Sequence, residues 1–260
     1  MRFSRSYKIN AETVVIPADA ASIARGMHIA ESRGCGHCHG PGLGGGTFMN
    51  NFAMGRIEGP NLTRGEGGIG RTFTDADWVR AIRHGVGPDG KPLIIMPADE
   101  NYYLSDQDLG ALIAYLKQLP PMNQRKAAVD PGPVARTLFA FGKMNSLVPA
   151  EMISHDAPRP EAPAAGVAPE YGEYLTRGCI GCHGNDLGGA PPVAPGFPPA
   201  PSLHKAGPIA TWSEAEFVRF LRSGTDPSGR QINPQFMPWP SFGKLSDEEL
   251  AAIWAYLRTL

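Results

Sequence analysis

The chain's four cysteines fall into two copies of one pattern, Cys35-Gly36-His37-Cys38-His39 and Cys179-Ile180-Gly181-Cys182-His183. C-x-x-C-H is the spacing of covalent c-type haem attachment. Two thiols one helical turn apart can bond the two vinyl groups on one porphyrin edge, and the adjacent histidine then carries its imidazole to the iron. One turn of backbone thus supplies both tethers (Cys35 with Cys38, Cys179 with Cys182) and one axial ligand, His39 or His183. A structural zinc site would put two C-x-x-C pairs on one metal, but these pairs lie far apart and each is followed directly by His. Thioredoxin-like redox cysteines need a βαβ context that the loop-rich flanks do not provide. Two motifs that use every cysteine point to two haems c.

The second axial ligand decides between electron transfer and substrate chemistry. Met237 is the one methionine after His183, and Met96 is its counterpart in the first half; each directly precedes a proline. Met27, Met49, Met54, Met122, Met144 and Met152 have no such counterpart and read as packing or surface residues. His28, His84, His155 and His204 also lack equivalents, with His155, between the copies, the one candidate for a switched ligand. Pro60 and Pro201 follow the Gly/Pro-rich loops after the motifs. Their carbonyls can accept the Nδ1–H of His39 and His183, a bond that orients a ligating imidazole; a rigid turn is the competing reading. Arg56, Arg80, Arg219, Lys91 and Arg230 are candidate partners for haem propionates, against the alternative of solvated surface charge.

The elements that position these groups are duplicated. Pro60-Asn61-Leu62 recurs as Pro201-Ser202-Leu203, Phe73 to Arg80 as Trp212 to Arg219, Met96-Pro97 as Met237-Pro238, and Leu104-Ser105-Asp106…Ala114-Tyr115-Leu116 as Leu245-Ser246-Asp247…Ala255-Tyr256-Leu257. Each copy predicts three helices. The first ends in the haem motif, over roughly 20–34 and 169–178. The others start at capping boxes, Thr74…Asp77 and Ser105…Asp108 in copy one, Ser213…Glu216 and Ser246…Glu249 in copy two. No β-hairpin pattern is legible, so the expected fold class is all-α. Between the copies a Pro/Ala-rich stretch reads as a linker, its middle (134–141) apolar enough for a short helix packed on a domain.

At 260 residues with 32 glycines and 26 prolines, the chain has room for more than one loop-rich domain. Charged residues are 19% and nearly cancel at net −1, which excludes a nucleic-acid binder dependent on a basic surface. The balance hides a split: residues 1–150 hold 16 basic and 13 acidic side chains, residues 151–260 hold 8 and 12. Opposite fields would steer the halves to different partners. The opening MRFSRSYKIN has a basic start with no apolar stretch behind it.

With these residues assembled, the chain resembles dihaem cytochromes c made of two class I cytochrome c domains. Pro60-Asn61-Leu62-Thr63, the Trp78 helix, Met96-Pro97 and the Leu-Ser-Asp…Ala-Tyr-Leu helix look like the cytochrome subunits of bacterial alcohol and gluconate dehydrogenases, which carry three haems where this chain has two motifs. The resemblance implies a tail over 1–19, a cytochrome c domain over 20–121, a linker over 122–167 and a second domain over 168–260. It implies electron transfer in the periplasm, between a dehydrogenase or quinol-oxidising complex and an oxidase or smaller cytochrome, with closed His/Met coordination. Membrane association would come through a segment not present here, the sequence being that of a trimmed or processed form. The rival is a dihaem peroxidase or another haem c oxidoreductase, which needs one open or displaceable iron position.

Overall fold

A computed structural model of the chain describes residues 2–125, 127–158 and 161–260. It divides into two units, Met1–Pro160 and Glu161–Leu260. No helix among the described residues is long and apolar enough to cross a membrane.

In the first unit, helix α1 (Ala20–Ser32) starts where the Asp19 carboxylate accepts the Ser22 N–H at 2.9 Å, satisfying an orphan donor of the first turn. A turn through Gly34 separates it from α2 (Cys35–His39), which is the haem motif itself. Strands β1 (Gly46–Asn51) and β2 (Gly55–Gly59) follow as an antiparallel pair. Helix α3 (Asp75–His84) opens on a complete capping box between Thr74 and Asp77 and stops at Gly85, whose φ of 64° is a left-handed C-cap. A short α4 (Ala98–Asn101) leads to α5 (Asp106–Lys117), capped by Ser105. Strand β3 (Val129–Pro131) then pairs with β2, and α6 (Pro133–Ala140) follows it.

The core lies between α1, α3 and α5: Ile29, Leu62, Trp78, Val79, Ile82, Leu104, Leu109, Leu112, Ile113 and Leu116 form one buried cluster. The helix dipole and caps start these helices, but this apolar face holds them. Helices α1 and α5 cross at Gly26, where an added Cβ would stand 2.0 Å from the Ala111 carbonyl oxygen. Beside the crossing, Arg25 grips Asp108 through two bonds of 3.0 Å.

The second unit repeats the plan with α7 (Pro169–Thr176), α8 (Ile180–His183), α9 (Glu214–Ser223), α10 (Trp239–Phe242) and α11 (Asp247–Leu257). Complete capping boxes at Ser213/Glu216 and Ser246/Glu249 open α9 and α11. Gly172 on α7 meets Ala252 O of α11 at the same 2.0 Å from its would-be Cβ. Phe217 and Trp254 pack at 5.3 Å between centroids.

The fold is all-α, with two differences from the sequence reading. The first unit carries a three-stranded antiparallel sheet in the order β1-β2-β3. Its hairpin is short and mostly exposed, and its turn is made by the Asn51 side chain accepting the Met54 N–H at 2.8 Å. It therefore shows neither period-two alternation nor a two-residue Asn-Gly turn. Second, the described residues of 1–19 and 122–158 belong to the first unit rather than standing as tail and linker. Val14 joins its core, Glu12 pairs with Arg83, and Leu147 and Val148 are fully buried. The apolar residues of these segments stand singly among prolines and glycines, so no period marks them. The packed helix allowed for within 134–141 is α6, with Phe139 buried against the Phe3 ring at 4.7 Å.

Candidate haem sites

Each haem motif is followed by a loop that folds back beneath its histidine. His39 Nδ1 lies 2.9 Å from the Pro60 carbonyl oxygen, and His183 Nδ1 lies 2.8 Å from that of Pro201. A carbonyl can only accept, so Nδ1 carries the proton and Nε2 keeps its lone pair. Both imidazoles are buried, which pushes their pKa down against the raising effect of the proline carbonyl. Burial thus favours the neutral form that a metal ligand needs.

The backbone bonds that shape these loops also come in pairs. Gly45 N–H donates to His39 O at 2.7 Å and Gly189 N–H to His183 O at 2.9 Å; Leu62 N–H donates to Leu43 O at 2.9 Å and Leu203 N–H to Leu187 O at 2.8 Å. Leu43 and Leu187 have φ of 56° and 59°, a left-handed conformation costing a leucine about 1–2 kcal/mol. The same strained residue stands at the same loop position in both units, where it turns the chain so that the proline carbonyl reaches the imidazole.

The two methionine loops likewise share a frame. Leu93 N–H donates to Gly85 O at 2.7 Å and Ile232 N–H to Gly224 O at 2.8 Å, tying each loop to the end of the preceding helix. After the methionine the chain turns at once: Ala98 N–H bonds Met96 O and Trp239 N–H bonds Met237 O, both at 2.7 Å. Met96 and Cys35 pack, both partly buried, against the same core cluster, so a motif thiol and a thioether meet one apolar wall. Met237 is partly buried.

The donor set fits haem c. All four cysteines are thiols of intermediate exposure, and burial pushes Cys35 and Cys38 up to about 11, so both stay protonated. Among the described residues no three His, Cys, Asp or Glu side chains are grouped to hold a metal ion, which is what a zinc site would require. Two thiols, a neutral imidazole with Nδ1 engaged and a thioether per unit are what a covalently tethered porphyrin needs.

The candidate propionate partners all meet local carboxylates: Arg56 with Glu58 at 2.9 Å, Arg80 with Asp77 at 2.6 Å, Arg219 with Glu216 at 4.0 Å, Lys91 with Asp89 at 3.7 Å and Arg230 with Asp226 at 3.0 Å. Among the other histidines, His84 and His155 face each other at 3.1 Å and His204 Nε2 sits 2.7 Å from Asp186 O. Gly26 and Gly172, which let α1 and α7 press on α5 and α11, escape sequence reading because their spacing to the haem motif differs by two residues between copies. The signal that could have found them is the Ala-x-x-x-Tyr pair facing each, Ala111/Tyr115 and Ala252/Tyr256.

Both halves of the chain resemble known proteins. Residues 171–260 match the cytochrome c family, and residues 21–116 match the family of cytochrome c oxidase, cbb3-type, subunit III. The cytochrome c subunit of alcohol dehydrogenase (quinone) from Komagataeibacter europaeus is 29% identical, over 94% of this chain and 57% of the relative. The fructose dehydrogenase cytochrome subunit of Gluconobacter japonicus is 28% identical, over 94% and 54%. The gluconate 2-dehydrogenase cytochrome c subunit of Pantoea cypripedii is 27% identical, over 94% and 60%. The chain thus spans little more than half the length of the dehydrogenase cytochrome subunits it matches. Each half of the chain thus matches a cytochrome c family model, and nearly its whole length is similar to the cytochrome subunits of those dehydrogenases.

Proposed function

We propose that the chain holds two haems c, one per unit, and relays electrons in the periplasm from a dehydrogenase or quinol-oxidising complex to an oxidase or smaller cytochrome. Cys35 and Cys38 would tether the first haem, with His39 and Met96 as axial ligands; Cys179 and Cys182 would tether the second, with His183 and Met237. Bound there, haem c supplies a reversible one-electron Fe(III)/Fe(II) couple, and its potential rises with a methionine ligand.

The observation that carries this reading is the pair of histidine–proline bonds. His39 on Pro60 and His183 on Pro201 are held by the same bond at 2.9 and 2.8 Å. That bond fixes the tautomer, stops the ring rotating and strengthens Nε2 as a donor. The Met-Pro turns with their 2.7 Å closure support the thioether assignment, since they are built alike in both units. A closed His/Met pair leaves no position for substrate, which supports relay over peroxidase chemistry.

The test is spectroscopic. A haemochrome assay should count two haems per chain, and the far-red Fe(III)–methionine band should carry intensity for two. Met96→Ala and Met237→Ala should each remove half of that band and lower one of two potentials. A ferric haem that is high-spin at rest and binds cyanide at once would overturn the relay reading.

A further inference from the structure

The two methionine loops are steadied by different parts of the chain. In the second unit the loop is self-contained. Asn233 O accepts the N–H groups of Phe236 at 3.0 Å and Met237 at 3.2 Å, and Asn233 Oδ1 accepts that of Gln235 at 2.9 Å. Trp239, just past the methionine, lays its indole over Gly224, where an added Cβ would lie 2.2 Å from the ring. Its Nε1–H donates to Ile232 O at 3.0 Å. The indole therefore spans the loop from one stem to the other.

The first unit has Ala98 in place of that tryptophan and cannot close its loop this way. Around Gly85, the counterpart of Gly224, a Cβ would meet Ala98 Cβ at 2.9 Å and then Ala150 N and Cβ at 3.5 and 3.7 Å. Where one unit has an indole, the other has a residue from the segment between the repeats. Ile95, directly before Met96, has a φ of 62°, which Phe236 at the matching position does not share. A β-branched residue in that region is strained, and the Ile95 N–H is held by Leu147 O at 3.1 Å.

That segment is itself fastened. Leu147, Val148, Pro149 and Ala150 are buried. Tyr102 OH donates to Ala157 O at 2.6 Å, and His155 spans Ala150 O and His84 Nδ1, both at 3.1 Å.

We propose that residues 144–157 are a positioning brace for Met96, doing from outside the repeat what Trp239 does for Met237 from within. The brace supplies the acceptor for a strained N–H and the bulk that keeps the loop shut. Loosening it frees Met96 and opens the first iron position while the second stays closed. The inference rests on the axial-ligand assignment above.

Holoprotein carrying Met237→Ala reports Met96 alone through the far-red band, and holoprotein carrying Met96→Ala reports Met237 alone. In the first background, Leu147→Asp, or the gentler pair Tyr102→Phe with His155→Ala, should speed imidazole binding to the ferric protein about tenfold, the equivalent of one lost hydrogen bond. In the second background the same changes should leave the rate unaltered, and Trp239→Ala should show the converse pattern. Equal acceleration in both backgrounds, or none in either, overturns the brace. A band that keeps full intensity in Met96→Ala instead overturns the ligand assignment, and the brace with it.

Discussion

Replacing Gly26 by alanine tests how the first motif is held in place. The new Cβ would stand 2.0 Å from Ala111 O, 2.6 Å from Ala111 C and 2.9 Å from Tyr115 Cβ. Normal contact is near 3.5 Å, so α1 must retreat from α5 by more than 1 Å. Two of the three atoms are helix backbone, and no rotamer change relieves them. Overpacking of this kind costs about 3 kcal/mol, the upper part of its usual range. Alanine's better helix propensity returns about 1 kcal/mol, which leaves a net loss of about 2 kcal/mol. For a unit of this size that lowers the melting temperature by about 4–8 °C. Gly36→Ala is the control, because nothing lies within 4 Å of its would-be Cβ and the matching position in the second motif is Ile180. Calorimetry of the holoprotein should show the first unit's transition falling in Gly26→Ala and holding or rising in Gly36→Ala. Equal melting of the two variants would refute the close-crossing argument.

Other expectations are narrower. The Ala128 N–H and the Arg125 and Arg56 guanidinium groups hold the Glu58 carboxyl down at about 2. A depressed carboxyl stabilises fully above its unfolded value and less as pH falls through the folded one. Hydrogen-exchange protection of Ala128, whose N–H donates to Glu58 Oε2 at 2.7 Å, should therefore decline between about pH 4.5 and 2; a Glu58→Gln protein should be flat over that window. Ser213→Ala removes the cap of α9 and should cost the second unit about 1 kcal/mol in urea unfolding, with no change in the first unit. Asp108→Ala leaves Arg25 without its bidentate partner, but Arg25 is one-third exposed (31%), so water replaces part of the bond. The loss should be about 1 kcal/mol rather than the several expected of a buried pair.

Much of this was legible in the residues themselves because its causes are local. Thr74, Ser105, Ser213 and Ser246 each open a helix at the next residue, since a hydroxyl three residues from an orphan N–H has few other uses. The His39–Pro60 and His183–Pro201 bonds were also within reach, because a duplicated proline after a duplicated histidine restricts what its carbonyl can do. What stayed hidden is long-range. Glu12 engages Arg83 and His84, and Asn61 donates to Met122 O at 2.6 Å; nothing in the spacing of these residues announces a partner so far along the chain. Strand β3 joins β2 with the three residues Val129–Pro131, too few to show a period. The strain at Leu43, Ile95 and Leu187 cannot be read from residue type, since leucine and isoleucine are poor choices for positive φ.

The packing of Glu12, Val14 and the 147–150 stretch against the first repeat bears on how such a chain can be taken apart. A duplication begins with interchangeable halves, and the second half still has its caps, loop ties and indole within Glu161–Leu260. Its methionine loop is tied by residues of that one stretch. The first half instead draws for its loop on Leu147 and Ala150, well beyond the last helix of its repeat. Cut at 121, it would keep its haem motif and lose the acceptor for Ile95; cut at 160, it would keep both. During synthesis, likewise, Cys35 and Cys38 emerge well before Leu147, so the first methionine loop must wait for residues from outside its own repeat.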